Sequence, residues 1–334
     1  MLSKKIAIDL GTVNSIVYVL GKGVVVNEPT VVAVSLEDDR VVAVGTEARS
    51  MMGKTPENIV ISRPLKEGVI ADYVVTEALL RYFINKVVGR LRLVKPDLMI
   101  SIPAGATSVE SRAVLEAAYS AGAKSAYLIP EPLAAAIGAG LPVSEPAGNM
   151  IVNIGGGTTE IAIVSLYGMV SYGSIRVGGN TFDEVIMSYI RRNYGLIVGD
   201  NTAERVKMDI GAAMPLSKDR TMEVKGRDAV SGFPKTVVLT SQEIVNCFSQ
   251  SLNQIGIAIK AVLEKTPPEL ASDVIDKGIV LSGGTAMLRN LDKYISDYTG
   301  IAVHVAEDPL YCVVKGLSRV LENADIYSKS MIKR

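Results

Sequence analysis

Residues 6–19 of the chain (IAIDLGTVNSIVYV) place two apolar runs on either side of a short turn, GTVN. Apolar runs of this length, rich in β-branched residues and interrupted by Gly, are typical of two strands joined by a tight connection. A turn built from Gly and Thr exposes successive backbone N–H groups and lets an anion approach closely. The segment therefore predicts a strand, an anion-binding first turn (residues 11–14) and a second strand.

A similar stretch occurs about one domain length further along the chain. Residues 153–166 (NIGGGTTEIAIVSL) again place a Gly- and Thr-rich turn before a β-rich run, and Asn153 follows Asp9 by 153 − 9 = 144 positions. Either turn alone is more typical of an ordinary hairpin, but their pairing at this spacing favours a duplicated unit. We expect the first turn and this second turn (residues 155–158) to bind phosphate from two domains, with a nucleotide between them.

A third turn (residues 282–285, SGGT) follows an apolar strand at 278–281 and precedes a predicted helix at 286–298. A Gly-rich turn at the start of a helix can place backbone N–H groups beside a base or an α-phosphate. The same pattern is also typical of an ordinary connection between a strand and a helix. The GxxxxGK[S/T] pattern of a P-loop is absent from the sequence.

Length and composition suit a cytoplasmic protein of two α/β domains. The 334 residues exceed the usual size of one hydrophobic core, and 48% are hydrophobic while 21% are charged. The 35 basic and 35 acidic residues balance, which argues against nucleic acid as a partner. Apolar stretches are interrupted well before the roughly 18 residues of a transmembrane helix, and we expect no signal peptide before the first strand.

Cysteine and histidine usage excludes several kinds of site. Cys247 and Cys312 lie far apart without metal-ligand spacing, as expected of thiols in a reducing compartment. His304 is the single histidine, which excludes His-rich metal sites and argues against a Ser-His-Asp triad.

Six short motifs occur in the order in which the MreB family of bacterial actin-like proteins has them. The first, third and sixth are shared with the wider superfamily of actin, sugar kinases and heat-shock chaperones, and the second and fifth resemble MreB more specifically. With residues 308–312 (DPLYC), the resemblance covers nearly the whole chain. The motifs are residues 9–14 (DLGTVN), 130–140 (PEPLAAAIGAG), 153–165 (NIGGGTTEIAIVS), 177–183 (VGGNTFD), 202–207 (TAERVK) and 281–288 (LSGGTAML).

The resemblance implies an actin-like α/β fold, in which two related domains each carry a smaller subdomain and hold a nucleotide in the cleft between them. Domain I would comprise residues 1–144 and 310–334, with a small subdomain at about 30–71. Domain II would comprise residues 145–309, with a small subdomain at about 180–240. ATP or ADP with Mg²⁺ is the ligand that this fold implies.

Carried over position by position, the resemblance also implies the residues of the site. Asp9 would bind Mg²⁺ through water, which suits an ion that prefers one or two carboxylates plus water and phosphate oxygens. Glu131 would orient or activate the water that attacks the γ-phosphate, assisted by Thr158, which would also bind phosphate. The other nucleotide-binding residues implied are Gly11, Thr12, Val13, Asn14, Asn153, Gly155, Gly156, Gly157, Glu204, Lys207, Gly283, Gly284 and Thr285.

Glu131 also has a purely structural interpretation. It stands between Pro130 and Pro132, directly before a predicted helix at 133–138. An acidic residue at the start of a helix can cap it and interact favourably with its dipole. Without the surrounding motif, this interpretation would be preferred.

Three positions depart from the MreB pattern. Asn153 and Asn180 stand where the family usually has Asp, and Pro130 stands where a Glu usually precedes the catalytic Glu. Asn can still hydrogen-bond a water on Mg²⁺ but brings no negative charge. Our hypothesis is an ATP-binding filament protein whose hydrolysis is slow or modified.

Residues 90–95 (RLRLVK) alternate basic and apolar side chains just beyond a predicted helix. In MreB the corresponding region carries a membrane-inserting loop, so the resemblance implies that Leu91 and Leu93 insert into the membrane. Two leucines contribute about 1.5–3 kcal/mol each, a weak anchor that a filament would multiply. The alternative is an edge segment with solvated arginines that leads into the next strand.

The leading hypothesis is a nucleotide-gated filament that polymerises with itself, lies on the inner face of the cytoplasmic membrane and helps to determine cell shape with other cell-shape or membrane proteins. A small-molecule kinase would need a second catalytic base, and no candidate beyond Glu131 is evident. A chaperone ATPase would need a peptide-binding domain, for which we expect no room. A catalytically weak regulatory subunit stays open because of Asn153.

Overall fold

The computed structural model describes residues 3–66, 68–89 and 94–333, in which strands and helices alternate as expected of an α/β protein. The strands are β1 (Lys5–Leu10), β2 (Asn14–Val19), β3 (Gly23–Pro29), β4 (Val32–Ser35), β5 (Val41–Val44), β6 (Ile59–Ser62), β7 (Leu65–Lys66), β8 (Val69–Ile70), β9 (Asp97–Ile102), β10 (Ser125–Pro130), β11 (Asn149–Ile154), β12 (Thr159–Ser165), β13 (Gly168–Ile175), β14 (Leu196–Ile197), β15 (Thr221–Asp228), β16 (Pro234–Thr240), β17 (Ile279–Ser282) and β18 (Val303–Val305). The α-helices are α1 (Thr46–Met51), α2 (Tyr73–Val88), α3 (Ser108–Ser120), α4 (Glu131–Gly138), α5 (Gly179–Tyr194), α6 (Asp200–Ile210), α7 (Ser241–Glu264), α8 (Pro268–Lys277), α9 (Leu291–Thr299) and α10 (Cys312–Glu322). Short 3₁₀ helices lie at Gly284–Met287 and Pro309–Tyr311.

Two five-stranded sheets have the same strand order. The first sheet runs β10-β9-β1-β2-β3, and the second runs β18-β17-β11-β12-β13. In each sheet three consecutive strands form an antiparallel meander, and two later strands run parallel to the first of them. The duplicated unit that the repeated turn predicts is therefore present as a duplicated sheet.

Helices α4 and α10 lie between the two sheets. Their apolar side chains form one buried cluster with Ala7 and Met99 of the first sheet and with Ile151 and Ala162 of the second. The opposite faces of the sheets are covered by separate clusters, one involving α2 and α3 and the other α5 and α7. Because both faces of each sheet are covered, the central strands are apolar along nearly their whole length.

The two central helices cross with their backbones in close contact. A Cβ on Gly138 would lie 1.7 Å from the carbonyl oxygen of Cys312, and a Cβ on Gly316 would lie 1.8 Å from that of Ala134. Only glycine allows this approach. The contact fixes the place of α4, whose first residue is Glu131.

Two small sheets flank the cleft between the large ones. The sheet β5-β4-β6 carries α1, and the sheet β14-β15-β16 packs against α6. They fall within the ranges proposed for the two small subdomains, while the domain limits themselves stay a prediction. Across the described ranges, no helix is long and apolar enough to cross a membrane.

Two local predictions are wrong. The sequence predicts that Thr181 caps a helix, but α5 begins at Gly179, and the N–H groups of Gly179 and Asn180 donate to the carbonyls of Gly155 and Gly156 at 3.0 and 2.8 Å. The sequence also predicts a continuous helix over 286–298. The chain instead forms a 3₁₀ helix and then α9, because Asn290 between them adopts a left-handed conformation with φ 58°.

We expect Gly316→Ala to destabilise the protein by about 1–3 kcal/mol, since the new methyl group forces the backbones of α4 and α10 apart. Gly105→Ala is a matched control, because a Cβ on Gly105 meets no atom within 4 Å and its stability should change by less than about 0.5 kcal/mol. Urea unfolding of both variants measures the difference. Equal unfolding midpoints would contradict the importance of this helix contact.

Candidate nucleotide-binding site

The first and second turns meet at the centre of the cleft. A Cβ on Gly156 would lie 2.1 Å from Cγ2 of Val13, and a Cβ on Gly157 would lie 2.8 Å from Oγ1 of Thr12. Side chains at these two glycines would separate the turns. The structure therefore brings together the two segments that were expected to bind phosphate from opposite domains.

Equivalent polar pairs stand behind the two turns. Asp9 is the last residue but one of β1, and its Oδ1 accepts a hydrogen bond of 2.9 Å from the hydroxyl of Ser101 on β9. Asn153 lies near the end of β11, and its Oδ1 accepts one of 3.0 Å from the hydroxyl of Ser282 on β17. Strands β11 and β17 are the counterparts of β1 and β9. The hydroxyl of a serine therefore donates to a carboxylate, Asp9, in the first sheet and to an amide, Asn153, in the second.

Asp9, Glu131 and Glu160 are three buried carboxyls, and the charges of Asp9 and Glu160 act on Glu131. Burial raises the pKa of Asp9 from 3.8 to about 6, against the opposing effect of the hydrogen bond from Ser101. Burial also raises the pKa of Glu131 well above its usual range, and the charges of Asp9 and Glu160 raise it further. Because these carboxylates repel one another, a bound cation would favour their charged forms.

Glu131 is the first residue of α4, which follows β10 directly. Pro130 occupies the N-cap position, no side chain caps the helix, and only 7% of Glu131 is exposed. The Glu131 carboxylate therefore faces a buried, acidic environment and does not cap its own helix. This favours the interpretation of Glu131 as part of the site.

Glu204 and Lys207 lie on α6 but have different surroundings. Glu204 forms an ion pair with Arg49 of α1, across the mouth of the cleft, and Asp200 lies 3.5 Å from Arg63 in the same place. Lys207 instead contacts α5, where its Nζ donates to Asp183 Oδ2 and to the Gly179 carbonyl, both at 2.9 Å.

The cleft mouth holds about 370 Å³, including its open side. Its lining includes Arg49, Glu204 and the first-turn residue Val13, but not Lys207. Glu204 is therefore at the opening, whereas Lys207 forms part of the wall behind it.

The third turn packs against the second. Thr285 Oγ1 donates to the Gly155 carbonyl at 2.8 Å, and the Gly283 N–H donates to the Pro309 carbonyl at 2.8 Å. Gly284 begins the 3₁₀ helix next to Leu310. The third turn thus lies beside the second turn, and what it binds stays a prediction.

Several residues of the site were not predicted. Ser101 supports the first turn, Glu160 adds a third carboxyl, and Arg49 closes the mouth. Ser282 was predicted only as the start of the third turn, but its hydroxyl also donates to Asn153 behind the second turn. The sequence alone could have indicated Glu160, since it is the one charged residue in the otherwise apolar strand TEIAIVS.

The membrane candidates Leu91 and Leu93 lie outside the described residues.

The duplicated sheets and the two turns that meet between them define an actin-like protein. In agreement, the family model described as MreB/Mbl protein matches residues 3–329. The cell shape-determining protein MreB of Escherichia coli strain K12 is 50% identical over 334 residues, which cover 98% of this chain and 96% of that protein. The chain belongs to the MreB/Mbl family.

Solved structures agree with this assignment. MreB 5 of Spiroplasma citri bound to AMPPNP superposes with a TM-score of 0.92 at 37% identity, covering 98% of this chain and 99% of that one. The same relative bound to ADP gives a TM-score of 0.92 at 38% identity, covering 98% of each chain. The chain of the MamK double helical filament gives 0.81 at 22% identity, over 96% of this chain and 99% of that one, and shows the shared fold.

The residues of the cleft fit a magnesium–nucleotide complex. No ion pair formed by the described residues includes Asp9, Glu131 or Glu160, so a bound cation would relieve their repulsion. In the same described ranges, no three His, Cys, Asp or Glu residues converge to hold a metal ion by themselves. Mg²⁺ would then take water and phosphate oxygens as its remaining ligands, which is its usual preference.

We expect Asp9→Asn to stabilise the nucleotide-free protein at pH 7. The folded protein holds the Asp9 proton more tightly than the unfolded chain does, so ionisation of Asp9 costs stability as pH rises from 3.8 through about 6. At about 1.4 kcal/mol for each pH unit by which the pKa is raised, the gain is about 3 kcal/mol. Urea unfolding at several pH values between 4 and 8 measures it.

Asp228→Asn serves as a control of opposite sign. Hydrogen bonds from the backbone of Ser231 and Val230 lower the pKa of Asp228, so this variant should lose stability at neutral pH. If Asp9→Asn were no more stable than the wild type at pH 7, or if its gain did not shrink towards pH 4, the buried charge would not be the cause.

Proposed function

We propose that the chain binds Mg-ATP between the first and second turns, hydrolyses it to ADP and phosphate, and polymerises into filaments. The observation that supports this most strongly is the contact between Gly156 and Gly157 of one domain and Val13 and Thr12 of the other, beside buried Asp9. Backbone N–H groups of both turns are then available to one chain of phosphates. The relative bound to AMPPNP and ADP supports the same ligand class.

In this proposal each part of the cleft has a separate task. Asp9 would hold a hydrated Mg²⁺, and the bound ion would offset charge on the β- and γ-phosphates. The N–H groups of the first and second turns position the phosphates. Glu131 orients the attacking water and accepts its proton, assisted by Thr158, because phosphoryl transfer depends mainly on positioning and charge.

The adenosine would lie between α6 and the third turn. Glu204 at the cleft mouth would contact the ribose, and Gly283, Gly284 and Thr285 would lie beside the base. Lys207 would contribute by shaping the pocket, since its ammonium group already ties α6 to the start of α5.

We further propose that the filament lies on the inner face of the cytoplasmic membrane and helps to determine cell shape with other cell-shape or membrane proteins. Membership of the MreB/Mbl family supports this role. Leu91 and Leu93 are the proposed inserting residues, between the end of α2 at Val88 and the start of β9 at Asp97. Assembly would be head to tail, a geometry that forms open filaments.

High-speed sedimentation tests the proposal. The protein is spun with Mg-ATP, with Mg-ADP or without nucleotide, each with and without vesicles containing anionic lipid, and phosphate release is followed in the same samples. We expect pelleting that requires Mg-ATP and increases on the vesicles. A chain that binds ATP but stays in the supernatant under all conditions would favour the regulatory subunit.

We expect Asn153→Asp to speed phosphate release by about threefold to tenfold, since a single added charge contact of about 1 kcal/mol changes a rate by that factor. Aspartate keeps the acceptor for Ser282 and adds the negative charge that the family usually has there. Asn201→Asp adds the same charge at the cleft mouth, at a position without a proposed role in hydrolysis, and is the matched control. An unchanged rate in Asn153→Asp would show that residue 153 does not limit hydrolysis.

A further inference from the structure

Two arginines and two carboxylates face each other across the mouth of the cleft. Arg49 of α1 contacts Glu204 of α6. Nη2 of Arg63, which follows β6, lies 3.5 Å from Oδ2 of Asp200 at the start of α6. All four side chains line the same opening. These two contacts, Arg49–Glu204 and Arg63–Asp200, are the mouth pairs, and each joins one side of the opening to the other.

The mouth pairs join two parts of the protein that have separate cores. On one side, α1 and β6 pack together in a small apolar cluster that includes Ala48 and Ile61. On the other side, α6 packs through Ala203 and Val206 into the large core beside the second sheet. The two arginines are therefore fixed to one part and the two carboxylates to the other, so opening of the cleft must separate both pairs.

Helix α6 presents its two carboxylates along a single face. Asp200 and Glu204 are four positions apart, which places them one turn from each other on the same side of the helix. Like charges at this spacing repel each other slightly, and each arginine offsets one of them. The closed mouth therefore satisfies charges that an open mouth would leave without a protein partner.

The nucleoside part of a bound nucleotide would lie directly behind the mouth pairs. The lining of the opening includes both pairs and Val13 of the first turn, where phosphate would bind. Helices α4 and α10 fill the space between the two sheets, which leaves the mouth as the route for a nucleotide. Arg49 contacts Oε2 of Glu204 and leaves Oε1 for a ribose hydroxyl.

We propose that the mouth pairs act as a latch on the cleft, which slows release of a bound nucleotide because both pairs must separate before it leaves. This inference rests on the proposed binding of Mg-ATP in the same cleft. Solvent and salt weaken exposed ion pairs, and these four side chains are 27% to 54% exposed. The latch therefore slows release by a small factor and still allows the nucleotide to exchange.

Neutral variants of Arg63 and Asp200 test the latch, since neither residue has a proposed contact with the nucleotide. Release of a fluorescent ATP analogue from the full chain with Mg²⁺ is followed after addition of excess unlabelled ATP. We expect Arg63→Gln to release the analogue about twofold to fivefold faster than the wild type, and Arg49→Gln to act in the same direction. In an Asp200→Asn background, Arg63→Gln should add no further acceleration, because the pair is already broken.

Arg40→Gln is the matched control. Arg40 lies between β4 and β5 of the same small sheet, and its Nε lies 3.2 Å from Oδ2 of Asp38 on the same side of the cleft. The variant removes the same charge and breaks an ion pair, but it leaves the mouth pairs intact. Its release rate should therefore match that of the wild type. High salt should accelerate release more in the wild type than in Arg63→Gln, because it screens the intact pair.

Equal release rates in Arg63→Gln and wild type would overturn the latch. The same holds if Arg63→Gln accelerated release equally in the Asp200→Asn background, since Arg63 would then act on the nucleotide itself. An equal acceleration by Arg40→Gln would also overturn it, because a general loss of positive charge would be the cause. A wild type that bound no ATP analogue would instead overturn the proposed nucleotide site, and the latch with it.

Discussion

The close contact of two glycine turns is the constraint on which the rest of the structure depends. Gly156 and Gly157 leave no room for a side chain beside Val13 and Thr12, so the backbones of two domains face each other across a few ångströms. That approach requires a rigid support, which is provided by α4 and α10 between the two sheets. Helix α4 in turn begins at Glu131, so the element that joins the domains also places the proposed catalytic carboxylate.

The buried carboxyls of the site are costly in the folded protein. Asp9, Glu131 and Glu160 are buried together, and burial raises the pKa of each. Such a group is costly in the folded protein unless a cation and a ligand with many acceptor oxygens occupy the cleft. In this view the site is unfavourable for stability and favourable for binding, a combination that is common at functional sites. Asn153 moderates this cost by placing an amide where the counterpart in the first sheet has a charge.

The sequence predicted the parts of the fold that depend on local pattern. The repeated turn predicted the duplicated sheet. A Thr followed three residues later by a Glu predicts a capping box, and such boxes are present at Thr107 and Thr240, at the starts of α3 and α7. The start of α5 was missed because its first N–H groups donate to Gly155 and Gly156, a contact between distant segments. Arg49 was missed for the same reason, since its partner Glu204 is 155 positions away. Local patterns carry no information on such pairings, and only the three-dimensional structure places these residues in one cleft.

A crystal structure of the protein with Mg²⁺ and a non-hydrolysable ATP analogue would show directly where the nucleotide binds. We expect the triphosphate between the first and second turns, with backbone N–H groups from both domains donating to it and a Mg²⁺-bound water on Asp9. A nucleotide bound to one domain alone, or outside the space between the two turns, would contradict it.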